Sequence, residues 1–186
     1  MIAHLIPLIV LVAATAANAQ TALAPLPVGL TPAQPAIEEL WAETFVRIRR
    51  PLGRTNAPWD RPPAVNAVTY NGAIPLSQTR SVGVSALFSN NVGCDMGPNG
   101  KNAVQQPVVC PGRIALFEDG AIIAVADIPK VCLASLMTSP GDVYDTVISP
   151  MADGKTVKIV GRKNAAPIKG DFSGIKDCTI SVTVPR

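Results

Sequence analysis

The sequence predicts an all-β protein, built as an antiparallel sandwich or barrel of about eight strands, with an N-terminal amphipathic helix and two disulfides. From residue 64 onward, short runs rich in β-branched residues alternate with Gly, Pro and Asp turn signals. Ahead of them lies a proline-rich stretch with a single helical pattern. The four cysteines form an even set, as expected of disulfides. We therefore predict a leader at 1–19, a proline-rich arm at 20–63 and a β-domain at 64–186.

The first twenty residues resemble an export signal. Leu5–Ala17 is an uninterrupted apolar run, and Ala17-Asn18-Ala19 fits the small-x-small cleavage pattern. A membrane-spanning helix needs about 20 apolar residues, so the run is short for an anchor. The segment before it has no Lys or Arg, which leaves an uncleaved anchor as the alternative. We expect a mature chain that starts at Gln20, is periplasmic or secreted, and has no integral membrane segment.

The arm contains one segment with helical periodicity, "PAIEELWAETFVRIRR", which predicts a helix over 36–50. Its acidic residues come early and its arginines late, as the helix dipole favours. The apolar positions that share one face are Ile37, Leu40, Trp41, Phe45 and Ile48. Such a face usually packs on its own domain. The proline-rich flanks suggest the alternative, in which Leu40, Trp41 and Phe45 dock on a partner protein.

The β-domain contains two hairpin signals. "AVNAVTY" and "AIPL" flank Asn71-Gly72, a dipeptide typical of a tight turn. "RIALF" and "AIIAVAD" flank "EDG" and form the stronger signal of the two. Further short runs, "KVCLASLM", "DVYDTVIS", "KTVKIV" and "CTISVTV", complete the expected set of strands.

The cysteines favour disulfides Cys94–Cys110 and Cys132–Cys178, because the first pair brackets one loop. Four cysteines allow 3 connectivities, so a crossed pairing stays open. No pair has the C-x-x-C spacing of a redox site or a zinc ribbon.

The loop between Cys94 and Cys110, "CDMGPNGKNAVQQPVVC", is polar and contains glycine. We call residues 94–110 the stapled loop. The disulfide either only stops the loop from fraying or holds it in shape for recognition, which lowers the entropy cost of binding. In the second case the contacting side chains are Met96, Lys101, Asn102, Gln105 and Gln106.

Composition excludes several kinds of chemistry. The only histidine, His4, lies in the leader, so Ser-His-Asp triads and histidine zinc sites are excluded from the mature chain. "DGKT" at 153–156 lacks the glycine that a phosphate-binding loop has five residues before Gly154, where this chain has Ser149, and it fits a hairpin turn. "SGIK" at 173–176 has the S-x-x-K spacing of penicillin-binding enzymes without their other elements. We expect no cofactor and no metal.

These observations predict an exported, non-catalytic binding or assembly protein of a bacterial-type cell envelope, with a protein partner. The net charge of +3 is too small to indicate nucleic-acid binding. The alternatives are a small secreted hydrolase that uses carboxylates or a Ser/Lys pair, and a secreted inhibitor domain that inserts the stapled loop into a target.

Overall fold

The computed structural model describes residues 20–27, 35–49, 67–89, 93–95 and 106–186. In this part of the chain there are one helix and twelve strands, of which seven have five or more residues. The elements are β1 (Thr21–Ala22), β2 (Ala24–Pro27), α1 (Pro35–Arg49), β3 (Ala67–Pro75), β4 (Arg80–Ser89), β5 (Val108–Glu118), β6 (Ala121–Leu133), β7 (Tyr144–Pro150), β8 (Thr156–Lys163), β9 (Ala166–Pro167), β10 (Asp171–Phe172), β11 (Ile175–Lys176) and β12 (Thr179–Thr183). The predicted all-β class is confirmed.

The strands form two antiparallel sheets. The first sheet has the order β2-β3-β4-β5-β6, and the second has the order β1-β7-β8-β12 with β9 also paired to β8. A separate small hairpin joins β10 to β11. The main core lies between the sheets and combines buried residues of the first, such as Val84 and Ile114, with Ile148 and Ile159 of the second. This is the packing of a sandwich.

The central strands of the first sheet, β4 and β5, have two buried faces. In β4, Val82, Val84 and Ala86 face the main core, whereas Leu87 belongs to a second apolar cluster under α1. Period-2 alternation places Ser85 on that same helix-side face. At β4 and β5 the first sheet is therefore covered on both sides, by the second sheet and by α1, whereas β6 alternates exposed and half-buried residues from Ala121 to Asp127.

The hairpin predicted at "EDG" is confirmed. Residues Asp119 and Gly120 connect β5 to β6 with φ values of 49° and 82°, as a two-residue hairpin turn requires. The ladder between β5 and β6 has two register shifts, between Cys110 and Gly112 and between Leu116 and Phe117. Such β-bulges bend an edge strand and interrupt its pairing.

The hairpin turn predicted at Asn71-Gly72 is wrong, because β3 runs without a break from Ala67 to Pro75. Gly72 lacks the positive φ that such a turn needs. A Cβ at this position would lie 2.9 Å from Leu23 Cδ2 and 3.3 Å from the Ala22 carbonyl oxygen. The glycine thus allows close approach of another segment, a use of glycine that looks identical to a turn signal in the sequence. Likewise, "AIIAVAD" and the first half of "KVCLASLM" belong to the single strand β6.

The start of the predicted arm is part of the sandwich. Residues 21–22 pair with β7 at the edge of the second sheet, and residues 24–27 pair with β3 at the edge of the first. Leu23, between them, is buried in the main core. The rest of the arm outside 35–49 lies beyond the described residues.

Both predicted disulfides, Cys94–Cys110 and Cys132–Cys178, are confirmed. Cys132 lies opposite Val109 in the β5–β6 ladder, and Cys110 lies opposite Val131. The two bonds therefore leave neighbouring positions of the same ladder. The second one passes Gly161, where a Cβ would lie 2.3 Å from Cys178 Sγ and 3.2 Å from Ala134 Cβ.

This contact gives a stability prediction. We expect Gly161→Ala to lower the free energy of unfolding by about 1–3 kcal/mol, because the added methyl group overpacks the buried disulfide. Gly93→Ala is the matched control, since a Cβ there meets no atom within 4 Å, and it should stay within about 0.5 kcal/mol of the wild type. Urea unfolding followed by circular dichroism measures both. Equal stability of the two variants would contradict the described path of the disulfide.

Candidate functional site

The structure describes the base of the stapled loop and not its tip. Of the predicted contact residues, Met96, Lys101, Asn102 and Gln105 lie outside the described residues. Gln106 lies within them and is half-buried. The recognition role of these residues stays a prediction, and the described base determines how the tip is held.

The base of the loop is closed twice. The Cys94–Cys110 disulfide joins its ends covalently. Next to it, Asp95 and Val109 exchange two backbone hydrogen bonds, with N–O distances of 2.7 and 2.9 Å. This reciprocal pair is the hydrogen-bonded rung of an antiparallel ladder. The two ends of the loop are therefore held side by side by one disulfide and one antiparallel bridge.

The base is also tied to the β10–β11 hairpin. The Ser173 hydroxyl donates a hydrogen bond to Asp95 Oδ2, and Lys130 Nζ on β6 donates to the Ser173 carbonyl oxygen at 2.5 Å. We call Asp95, Lys130 and Ser173 the tether cluster. Beneath it, an apolar cluster contains Val109, Cys132, Ile175 and Cys178. The stapled loop, β6 and the small hairpin are thereby held together at one end of the sandwich.

The tether cluster also explains "SGIK". Ser173 and Gly174 have φ values of 53° and 85° and form the two-residue turn between β10 and β11. The S-x-x-K arrangement needs a helix, on which the lysine lies one turn from the serine. Here Lys176 lies on a strand, and the Ser173 hydroxyl is hydrogen-bonded to a carboxylate. This geometry is that of a structural turn.

Several of the carboxylates stabilise turns. A hydrogen bond from Lys163, followed by one from Asn164, holds the pKa of Asp142 below its usual value. Hydrogen bonds from the Thr156 side chain and the Lys155 amide lower the pKa of Asp153, which explains "DGKT" as the turn between β7 and β8. The Gly170 amide and the Lys169 ammonium lower the pKa of Asp177. A low pKa suits a permanent hydrogen-bond acceptor and does not suit a general acid at neutral pH.

The predicted apolar face of the helix lies against the chain's own first sheet. Leu40, Trp41 and Phe45 are buried there, in a cluster with Leu87 and Ala115. The structure thus has the first of the two arrangements open from the sequence, a helix packed on its own domain. A role for these three residues in docking a partner stays a prediction, and it would require the helix to leave this sheet.

Polar contacts add direction to this packing. Trp41 Nε1 donates a buried hydrogen bond of 2.8 Å to Ser85 Oγ. The Arg113 guanidinium lies 4.8 Å from the centre of the Trp41 ring, donates to the Leu40 carbonyl oxygen and pairs with Asp127 at 3.0 Å. Sequence reasoning missed Arg113, although an arginine at the start of the apolar run "RIALF" could have indicated a partner on the outer face.

Two kinds of site have no support in the described ranges. No group of three or more His, Cys, Asp or Glu side chains there could hold a metal ion. Nor does any helix in those ranges have the length and apolar character needed to cross a membrane. All four cysteines are in disulfides, so a free thiol is not part of any site.

The Trp41–Ser85 hydrogen bond can be tested by a double-mutant cycle. Trp41→Phe keeps an aromatic ring but leaves the buried Ser85 hydroxyl without this donor, which should cost about 1–3 kcal/mol of unfolding free energy. In the Ser85→Ala background, the same change should cost at least about 0.5 kcal/mol less, because residues in contact are not additive. Denaturant unfolding of the four proteins measures this. Additive losses would show that the hydrogen bond contributes nothing to helix docking.

The two disulfides should differ in the ease of reduction. Cys94 is half-buried, whereas Cys110, Cys132 and Cys178 have exposed fractions of only 1–2%. Exposed disulfides are the more labile ones, because exchange requires access of the attacking thiolate. We expect limited dithiothreitol treatment of the native protein to open Cys94–Cys110 first. Alkylation of the new thiols and peptide mapping measure the order, and first labelling of Cys132 and Cys178 would contradict it.

A scan of this chain against models of protein families finds no match, and searches of curated proteins and of solved structures find none either. The functional argument therefore depends on the geometry described above: a twice-closed loop at one end of a disulfide-stabilised antiparallel sandwich.

Proposed function

We propose that the protein is an exported, non-catalytic binding or assembly protein of a bacterial-type cell envelope, and that the tip of its stapled loop contacts a protein partner. The two disulfides indicate an oxidising compartment outside the cytoplasm. The finer assignment, periplasmic or secreted, depends on the leader and is part of the proposal.

The observation that carries the proposal is the construction of the loop base. A disulfide alone would prevent fraying. Here the disulfide, the backbone pair with Val109 and the hydrogen bond from Ser173 all act on Cys94 and Asp95, the two adjacent residues at which the loop begins. Their combined effect is to fix both ends of the loop on the sandwich, and a loop held at its ends loses less entropy on binding. Loops held on a rigid scaffold are a common means of recognition.

A hydrolase has less support. The Ser173 hydroxyl and the carboxylates of Asp142, Asp153 and Asp177 are occupied in turns. An inhibitor domain would use the same stapled loop, with the active-site cleft of an enzyme as its target. The test below separates the two by the identity of the partner.

The test is a comparison of two triple variants of the mature protein, residues 20–186. Lys101→Ala, Asn102→Ala and Gln105→Ala together change the predicted tip. The matched control, Lys158→Ala, Ser181→Ala and Thr183→Ala, also removes one positive charge and two polar side chains, all from exposed positions on β8 and β12.

A recognition tip is not needed for folding, so both triple variants should retain the wild-type stability to within about 0.5 kcal/mol per site. The tip variant should bind a partner captured from the native envelope at least about fivefold more weakly, because few contacts dominate an interface. The control should bind like the wild type. Isothermal titration with the partner identified by mass spectrometry measures this, and equal binding by all three proteins would remove the loop from the proposed function. An enzyme partner whose activity falls on binding would favour the inhibitor.

A further inference from the structure

The N-terminal strand segment, residues 20–27, joins the edges of both sheets. Thr21 and Ala22 lie opposite Ile148 and Val147 of β7. A few residues later, Ala24 lies opposite Asn71 of β3, and the pairing continues to Pro27. The segment therefore begins on one sheet and ends on the other, and it closes the side of the sandwich on which β3 and β7 are the outer strands of the remaining chain.

The segment is anchored at its middle by Leu23. This side chain has an exposed fraction of 4% and belongs to the main core. Its backbone amide donates to the Thr146 carbonyl oxygen at 2.7 Å. Gly72 leaves the space it needs, since a Cβ there would lie 2.9 Å from Leu23 Cδ2. We call the two strand edges and the space beside Gly72 the edge seat.

Nothing covalent holds the segment in this seat apart from the chain itself. Both disulfides lie within 94–178. Pro25 and Pro27 lack backbone N–H groups, so β2 offers fewer hydrogen bonds than its length suggests. The unit that contains β1, β2 and α1 is joined to β3 only through residues 50–66. Those 17 residues can span at most about 56–61 Å when fully extended.

We propose that residues 20–49 exchange between two copies of this chain, so that the segment of each copy occupies the edge seat of the other. The occupant is a second copy because the seat already fits this segment, through the Leu23 contacts and the registers with β3 and β7. An exchanged dimer would keep these contacts and bury no new kind of surface, as in domain swapping. Its formation then depends on concentration, and it should be populated as the protein approaches the millimolar effective concentration typical of a tethered segment.

The experiment traps the exchanged state with two variants, each of which has one added cysteine. Ala24→Cys and Asn71→Cys place thiols at directly opposed positions of β2 and β3. The two proteins, with native disulfides intact, are mixed at about 1 mM to favour exchange. They are then diluted about a thousandfold and oxidised at once, so that random collisions between chains contribute little. Covalent dimers are separated under denaturing, non-reducing conditions, and peptide mapping identifies the bond.

Three controls make the outcome decisive. Ala24→Cys mixed with Val143→Cys reports collisional coupling, because Val143 is 67% exposed and lies outside the seat. Ala24→Cys and Asn71→Cys in one chain should close an internal bond, which tests the register. A second pair, Ala22→Cys with Val147→Cys, is also in register and serves if Asn71→Cys does not fold.

We expect the in-register mixture to give at least about tenfold more covalent dimer than the Val143 mixture, given the gap between millimolar exchange and micromolar collision conditions. Equal yields from both in-register mixtures and their control would overturn the proposal. Failure of both single-chain double variants to close their bonds would also overturn it, because the edge seat would then not hold the segment as described. The proposal is independent of the stapled loop, so the loop variants above should exchange like the wild type.

Discussion

The ladder between β5 and β6 is the constraint on which the rest of the structure depends. It carries one cysteine of each disulfide on neighbouring rungs, Cys110 and Cys132. Its Val109 pairs with Asp95 at the loop base, and its Lys130 reaches the hairpin at Ser173. Because both disulfides start from this one ladder, they fix the places of Cys94 and Cys178 together. The two strands cannot slip past each other without moving both disulfides.

The opposite face of the same ladder positions the helix. Arg113 lies in the middle of β5 and contacts the Trp41 ring, the Leu40 carbonyl oxygen and Asp127 on β6. The contact between the helix and the sheet is therefore partly polar, with Ser85 of β4 and Thr44 of α1 both buried. Buried polar groups need specific partners, so this packing admits few orientations. A purely apolar contact would be less selective.

The fold was predictable where the signal was local. Alternation of apolar residues and the "EDG" turn predicted the central strands, and the spacing of four cysteines was enough to favour the observed pairing. The misreading of Gly72 shows where local signals fail, because its partner Leu23 lies 49 positions away in the sequence. Strands β1 and β2 were missed for the same reason. They have only two and four residues, and β2 contains two prolines, so neither shows a periodic pattern, and only their distant partners make them strands.

The candidate site was predictable only in part. A polar loop between two cysteines indicates a staple, but the hydrogen bond from Ser173 to Asp95 joins residues 78 positions apart, and neither one belongs to a motif for it. The helix face presented a different difficulty. An apolar stripe has the same sequence pattern whether it covers its own sheet or that of a partner. The distinction came from Ser85 and Arg113, whose side chains meet the helix only after β4 and β5 have paired.

The position of Leu23 has a consequence for the order of folding. The first described residues of the chain contact residues that come much later: the Leu23 amide donates to the Thr146 carbonyl oxygen, and Gln20 accepts a hydrogen bond of 2.8 Å from Arg162, 142 positions away. A chain that emerges N-terminus first must complete β7 before β1 and Leu23 have their partners, and β8 before Gln20 has its own. Until then the opening segment can pair only with β3, and its other half stays unpaired during the interval in which unpaired edges are most prone to wrong association. Nascent chains crowded together at that stage would meet one another's segments before their own seats are complete.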